Sequence, residues 1–97
     1  MSLSTLLQQG LVAPGAVLEA TVGGRVERAT LRSDGWVLYA NVAYRSLSAA
    51  GGAVKEAVAG RDLSVSERST DGWAFWHARD HDGNSVALKE LRRRAVL

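Results

Sequence analysis

His77 and His81 stand four residues apart, with Asp80 and Asp82 between and beside them, and on spacing alone such a set could hold a metal ion. The segment also carries a turn signal, Asp82-Gly83-Asn84, so it reads as a hairpin whose four side chains diverge over two faces. Solvated turn residues are therefore the expectation. Asp80-x-Asp82-Gly83-Asn84 matches half of a calcium loop, but its glycine comes early and the closing glutamate is absent. A Ser–His–acid triad can be drawn from Ser46 or Ser48 with His77 and Asp80, yet no strained nucleophile turn accompanies it. Cysteine is missing, and so are the GxSxG, Walker A, GxGxxG and HExxH patterns. No catalytic residue, metal site or cofactor is expected.

Aromatic residues offer a different chemistry. Trp73, Phe75 and Trp76 fall within four residues. On a strand, Trp73 and Phe75 would share one face and Trp76 would take the other. A small domain has one core, so one set would be buried and the other would form an exposed platform. Indole rings stack on nucleobases at roughly 1–3 kcal/mol per base. The alternative is that both tryptophans close the core beneath a helix of small residues.

The elements that must position these residues read as an α+β domain with a small, mostly antiparallel sheet. Ser4 to Gln9 suits a short helix, capped by Ser4 or Thr5 and ended by Gly10. Leu11 to Gly15 is an apolar bridge closed by Pro14-Gly15. Residues 16–31 form a hairpin about Gly23-Gly24. Its register sets Glu19 opposite Arg28 and places Leu18, Ala20, Val22, Ala29 and Leu31 on one core-facing side. After the Ser33-Asp34-Gly35 turn, Trp36 to Ala40 is a strand, and a connection at Asn41-Val42 leads to a short one at Ala43-Tyr44. Ser46 or Ser48 caps a helix near 46–59 that Gly60 stops.

Gly51 and Gly52 inside that helix cost roughly 1 kcal/mol each relative to alanine, which implies close approach to another backbone. The sheet is the first candidate, and a ligand or DNA backbone the second. Arg61 to Thr70 is a polar loop, Trp73 to Ala78 a strand, Ser85 to Ala87 its partner, and Leu88 to Arg94 a terminal helix. Three Asp-Gly pairs, at 34–35, 71–72 and 82–83, punctuate the chain without forming a repeat.

At 97 residues, with 46% hydrophobic and 23% charged residues, the chain suits one globular domain. Residues 1–3 could be a vector-derived remnant. Without cysteine, a disulfide scaffold and thiolate zinc sites are excluded, and a reducing cytosol is the simplest setting. No apolar run approaches the ~20 residues that span a bilayer, and the N-terminus lacks a signal-peptide pattern, so no membrane partner is expected. Net charge is only +2, but arginine outnumbers lysine ten to two. Planar guanidinium groups suit bidentate recognition of phosphate or carboxylate; a GC-rich codon bias would yield the same ratio.

Taken in order, Gly10-Leu11-Val12-x-Pro14-Gly15, the Gly23-Gly24 hairpin, Asp34-Gly35, Tyr44-Arg45-Ser46-Leu47-Ser48-Ala49-Ala50, Asp71-Gly72-Trp73-Ala74-Phe75-Trp76, Asp82-Gly83 and Leu88 to Arg92 make a specific combination. It resembles the RAMA domain, the "restriction enzyme adenine methylase associated" module, over nearly the whole chain. Two positions depart from that pattern: Asp71 stands where the family often has asparagine, and Gly51-Gly52 interrupts a usually more helix-prone run. The resemblance implies a non-catalytic DNA-binding module of bacterial restriction-modification and conflict systems, reading modified bases, N6-methyladenine in particular. An effector nuclease or methylase domain would then lie on another chain or a removed segment.

On that reading Arg45, Lys55 and Arg61, with Arg92, Arg93 and Arg94 if they share the side, contact phosphates. Ser46 and Ser48 at the helix start offer N–H groups and hydroxyls to one phosphate. Trp73 or Trp76, with Tyr44, forms the pocket for the modified base. The rival expectation is a protein-interaction or homodimerisation module. Arginines around the tryptophans would favour DNA, and an apolar patch without them would favour protein.

Overall fold

The computed structural model describes residues 3–95. Its centre is the expected hairpin. β1 (Val17–Val22) and β2 (Arg25–Leu31) pair antiparallel about Gly23-Gly24, whose φ angles of 56° and 78° few side chains tolerate. Glu19 lies opposite Arg28 and their side chains meet at 3.1 Å. Leu18, Ala20, Ala29 and Leu31 are buried on one face and Val22 packs against them, as the alternation requires.

Around this hairpin the chain adds strands on both sides. β3 (Val37–Tyr39) and β4 (Val42–Tyr44) extend the β2 edge, while β5 (His77–Arg79) and β6 (Ser85–Ala87) extend the β1 edge. The result is a six-stranded antiparallel sheet of order β4-β3-β2-β1-β5-β6. The β3–β4 turn falls at Ala40-Asn41, one residue before the expected connection, because both residues take positive φ (50° and 66°) and Tyr39 faces Val42. Two successive positive-φ residues make the tight turn that matches strand twist.

Helices cover one face. α1 (Leu3–Gln8) begins before Ser4, so Ser4 and Thr5 lie within it rather than capping it. Leu3 is buried in the core although residues 1–3 read as dispensable, and Met1 and Ser2 lie outside the described residues. α2 (Leu47–Ala59) is bounded as its capping residues dictate. The Ser46 hydroxyl accepts the Ala49 N–H at 3.1 Å, and left-handed Gly60 donates its N–H to Glu56 O at 2.9 Å. α2 packs on β1, β3 and β4.

Two short helices replace expected loop and strand. α3 (Val65–Arg68) sits inside the supposed loop, nucleated by a capping box between Ser64 and Glu67. α4 (Gly72–Phe75) replaces the first half of the supposed strand 73–78, so the strand begins only at His77. Asp71 caps α4 by accepting the Trp73 N–H at 3.2 Å, a capping role that asparagine also fills. α5 (Leu88–Ala95) closes the domain, with Leu88 and Leu91 buried near α1.

Gly51 and Gly52 do not face the sheet. A Cβ on Gly51 would lie 2.8 Å from Thr70 Cγ2, and one on Gly52 3.2 Å from Arg68 O. The glycines therefore admit the α3–α4 segment against α2. Gly72 returns the contact: a Cβ there would sit 2.5 Å from the Leu47 carbonyl carbon and from Ser48 N. Trp76, wholly buried, then donates its Nε1–H to Leu47 O at 3.0 Å and meets the Phe75 ring edge-on at 5.2 Å.

Gly72→Ala should lower stability by about 1–3 kcal/mol, because the obstructing atoms are backbone and cannot rotate away. Trp76→Phe should cost about 1–3 kcal/mol by leaving the Leu47 carbonyl without its indole donor. Urea unfolding midpoints at constant slope would measure both; an unchanged midpoint for Gly72→Ala would exclude the contact.

Candidate nucleic-acid interface

The contact between α2 and α4 brings the two sequence segments singled out above, 46–50 and 71–76, into one place. Ser48 Oγ accepts the Gly72 N–H at 3.2 Å, while Ser46 Oγ caps α2 itself. Both hydroxyls are thus engaged by backbone. The first-turn N–H groups of Leu47 and Ser48 lie outside α2's own ladder, as at any helix start. Beside them opens a cleft of about 250 Å³ lined by Leu3, Gly35, Arg45, Ser46, Ser48 and Trp73, with Leu47 at its base. Four residues expected at a DNA site, Arg45, Ser46, Ser48 and Trp73, therefore share one cavity.

Tyr44 and Trp76 do not join them. Tyr44 lines a separate groove of about 570 Å³ between α2 and the α3 segment, which meets the cleft only at Ser48. That larger groove is bridged by the Arg68–Glu56 ion pair at 3.2 Å. Trp76 exposes no surface, so its ring is core and can touch no ligand. Alternation along a strand would have separated Trp73 from Trp76 by face; the helical turn separates them by depth instead, Trp73 staying half-buried at the surface.

The basic residues divide sharply. Eight arginines pair with carboxylates, including Arg61 with Glu67 at 2.7 Å, Arg93 with Glu90 at 2.6 Å, and Arg94 with Asp80 and Glu90 at 3.2 Å. Lys55 Nζ donates to Ser69 O at 2.8 Å. Among the described residues only Arg45 and Arg92 are arginines with no carboxylate partner. Each lies over a tryptophan ring instead: Arg92 at 4.5 Å from the Trp73 centroid, Arg45 at 5.9 Å from that of Trp36. Such stacking orients a guanidinium without neutralising it.

Trp36 escaped the sequence reading, which placed it only at the start of a strand. In the fold it precedes β3 and is 37% exposed. Its local signal was present, for Asp34-Gly35-Trp36 repeats the order of Asp71-Gly72-Trp73. In both, the aspartate Oδ1 accepts the tryptophan N–H, at 3.0 and 3.2 Å.

The residues considered for catalysis and metal binding serve the scaffold. Asp80 Oδ1 accepts the N–H groups of Asp82 and Asn84, and its Oδ2 meets Arg94. His77 lies on β5 opposite Glu19 and Ala87, whereas His81 is exposed in the following turn. No group of three or more His, Cys, Asp or Glu residues among the described ones could hold a metal ion. No helix among them is long and apolar enough to cross a membrane.

A family model described as Restriction Enzyme Adenine Methylase Associated (RAMA) matches residues 1–96. Comparison with curated proteins found no match.

The paired arginines make a pH-dependent prediction. The Arg61 guanidinium, helped by Ser64, holds Glu67 down at about 2, and Arg93 with Arg94 holds Glu90 at about 2, both below the ordinary 4.5. Because the folded values are depressed, these pairs contribute fully above about pH 4.5 and are lost as pH falls towards 2. All these groups are exposed to solvent, so the effect on stability is small. Carbon-detected NMR should show both carboxyls titrating near 2; midpoints at 4.5 would mean the pairs do not persist in solution.

Proposed function

The chain belongs to the RAMA family over residues 1–96, and on that premise we propose that it is a non-catalytic DNA-binding module that reads modified DNA, N6-methyladenine first, for a restriction-modification or related conflict system. One observation carries this reading. The only two arginines among the described residues free of carboxylates are those stacked on Trp73 and Trp36, beside a cleft at the start of α2.

The roles follow from geometry and charge. Among the described residues Arg45 and Arg92 have no carboxylate partner and can offer their donors to phosphate oxygens, and Arg45 lines the cleft at the α2 start. Arg61, Arg93 and Arg94 would have to break ion pairs to do the same, and Lys55 a bond to Ser69 O, so they take a lesser part. Trp73, at the cleft wall with one ring face under Arg92, presents aromatic surface to a base edge. Burying one methyl group contributes only about 0.8 kcal/mol, roughly fourfold in affinity. Larger discrimination requires that the unmethylated amine be left without a partner in the cleft. An effector nuclease or methylase would be supplied by another chain or by sequence beyond this one.

Titration of matched duplexes, unmodified and N6-methylated, at two salt concentrations tests this. The methylated duplex should bind more tightly, and affinity for both should fall as salt rises. Trp73→Ala should weaken binding by about 1–3 kcal/mol while the fold survives, since its ring is only half-buried. Equal affinity for the two duplexes would remove the reader function, and salt-independent binding would remove DNA as the ligand.

A further inference from the structure

Two Asp-Gly-Trp turns meet the cleft from opposite parts of the chain. Gly35 of the first and Trp73 of the second both line it, together with Arg45. Each turn fixes its tryptophan by the same aspartate-to-backbone bond, and each tryptophan carries arginine. The second turn serves the core as well, through Gly72 against Leu47. The first packs as well, its buried Gly35 so close to α1 that a Cβ there would lie 3.0 Å from Ser4 Oγ. Trp36, at the base of its turn just before β3, is among the few large exposed apolar side chains.

What surrounds Trp36 is cationic. Arg32 lies 6.0 Å and Arg45 5.9 Å from its ring centroid. Arg32 is tethered to Asp34 at 2.6 Å, and Asp34 in turn holds the Trp36 N–H, so ring, tether and turn form one unit. Arg32 N–H also donates to Trp36 O at 2.8 Å, closing the turn on itself. The indole is thus a rigid post against which the untethered Arg45 is steadied. A steadied guanidinium loses less freedom on meeting a phosphate than a mobile one.

Resting on the DNA-binding reading above, we propose that Trp36 is a positioning residue for nucleic acid. The Arg32–Trp36–Arg45 unit then forms a second backbone-binding limb beside Trp73–Arg92, with unpaired Arg45 as its phosphate donor. The ligand is accordingly a strand whose successive phosphates reach both limbs, and a free nucleotide, which reaches one, is a poor substitute. Trp36 itself contributes by orienting Arg45, so its loss removes a phosphate contact without altering the base pocket.

The test is fluorescence anisotropy of the full chain with a labelled N6-methyladenine duplex over a salt series, for wild type, Trp36→Ala, Trp36→Phe, Arg32→Ala and Trp73→Ala. Circular dichroism of each variant establishes that it is folded. Trp36→Ala should weaken binding about three- to thirtyfold for both methylated and unmethylated duplexes. It should also lower the slope of log affinity against log salt by about one, the signature of one lost phosphate contact. Trp36→Phe should recover most of both, and Arg32→Ala should fall between. Methyladenosine monophosphate should compete poorly with the duplex. Wild-type affinity and slope in folded Trp36→Ala, with binding lost in Trp73→Ala, would overturn the second limb and leave the DNA-binding reading standing. Absence of duplex binding by the wild type would overturn both.

Discussion

Everything at the candidate interface depends on one packing constraint, the contact of Gly72 with the first turn of α2. The two backbones approach so closely that no side chain fits between them, and three bonds exploit the proximity. Ser48 Oγ satisfies the Gly72 N–H, Asp71 satisfies the Trp73 N–H, and the Trp76 indole satisfies Leu47 O. Without the side-chain-free position, Trp76 could not reach the core at this angle. Trp73, three residues earlier on the same single turn, could not stand at the wall of the cleft. Core and surface roles are therefore distributed by one helical turn that is stable only because it is clamped.

That clamp also explains the helix glycines. In isolation Gly51 and Gly52 weaken α2, yet they let Thr70 and the Arg68 carbonyl lie against it. The local loss is offset by the contacts that Gly72 and Trp76 make with the start of α2. The charge distribution follows a similar division of labour. Most arginines are consumed in ion pairs within or between elements, such as Arg94 of α5 with Glu90 on the same helix and with Asp80 at the β5–β6 turn. Those that escape pairing are held by aromatic rings, which constrain direction while leaving charge available.

Much of this was legible in the residues. The hairpin register, the α2 boundaries at Ser46 and Gly60 and the terminal helix all rest on local signals, and local signals sufficed. The capping box Ser64-x-x-Glu67 was equally local and went unread beneath a polar composition. α4 was misread for a deeper reason. Trp73-Ala74-Phe75-Trp76 has the aromatic content of a strand, and a four-residue helix has no period to detect. Only its clamp against α2, remote in sequence, decides its conformation. Arg45, Ser46, Ser48 and Trp73 were named among a larger group of candidates, and only these four share the cleft. The exclusion of Trp76 and the arrival of Trp36 were not anticipated, since both are matters of depth and neighbours rather than of type.

The walls of the cleft come from Leu3, the turn at Gly35, the α2 start and Trp73, regions strung across three-quarters of the chain. Each is unremarkable until the others arrive, so the cavity cannot exist in any partly assembled chain. A hairpin that zips early contributes nothing to it directly. The contact of residues 71–76 with 47–48 builds core and cleft wall together. Whatever occupies the cleft then binds the native state, and it stabilises the fold by an amount that grows with the logarithm of its concentration over its dissociation constant.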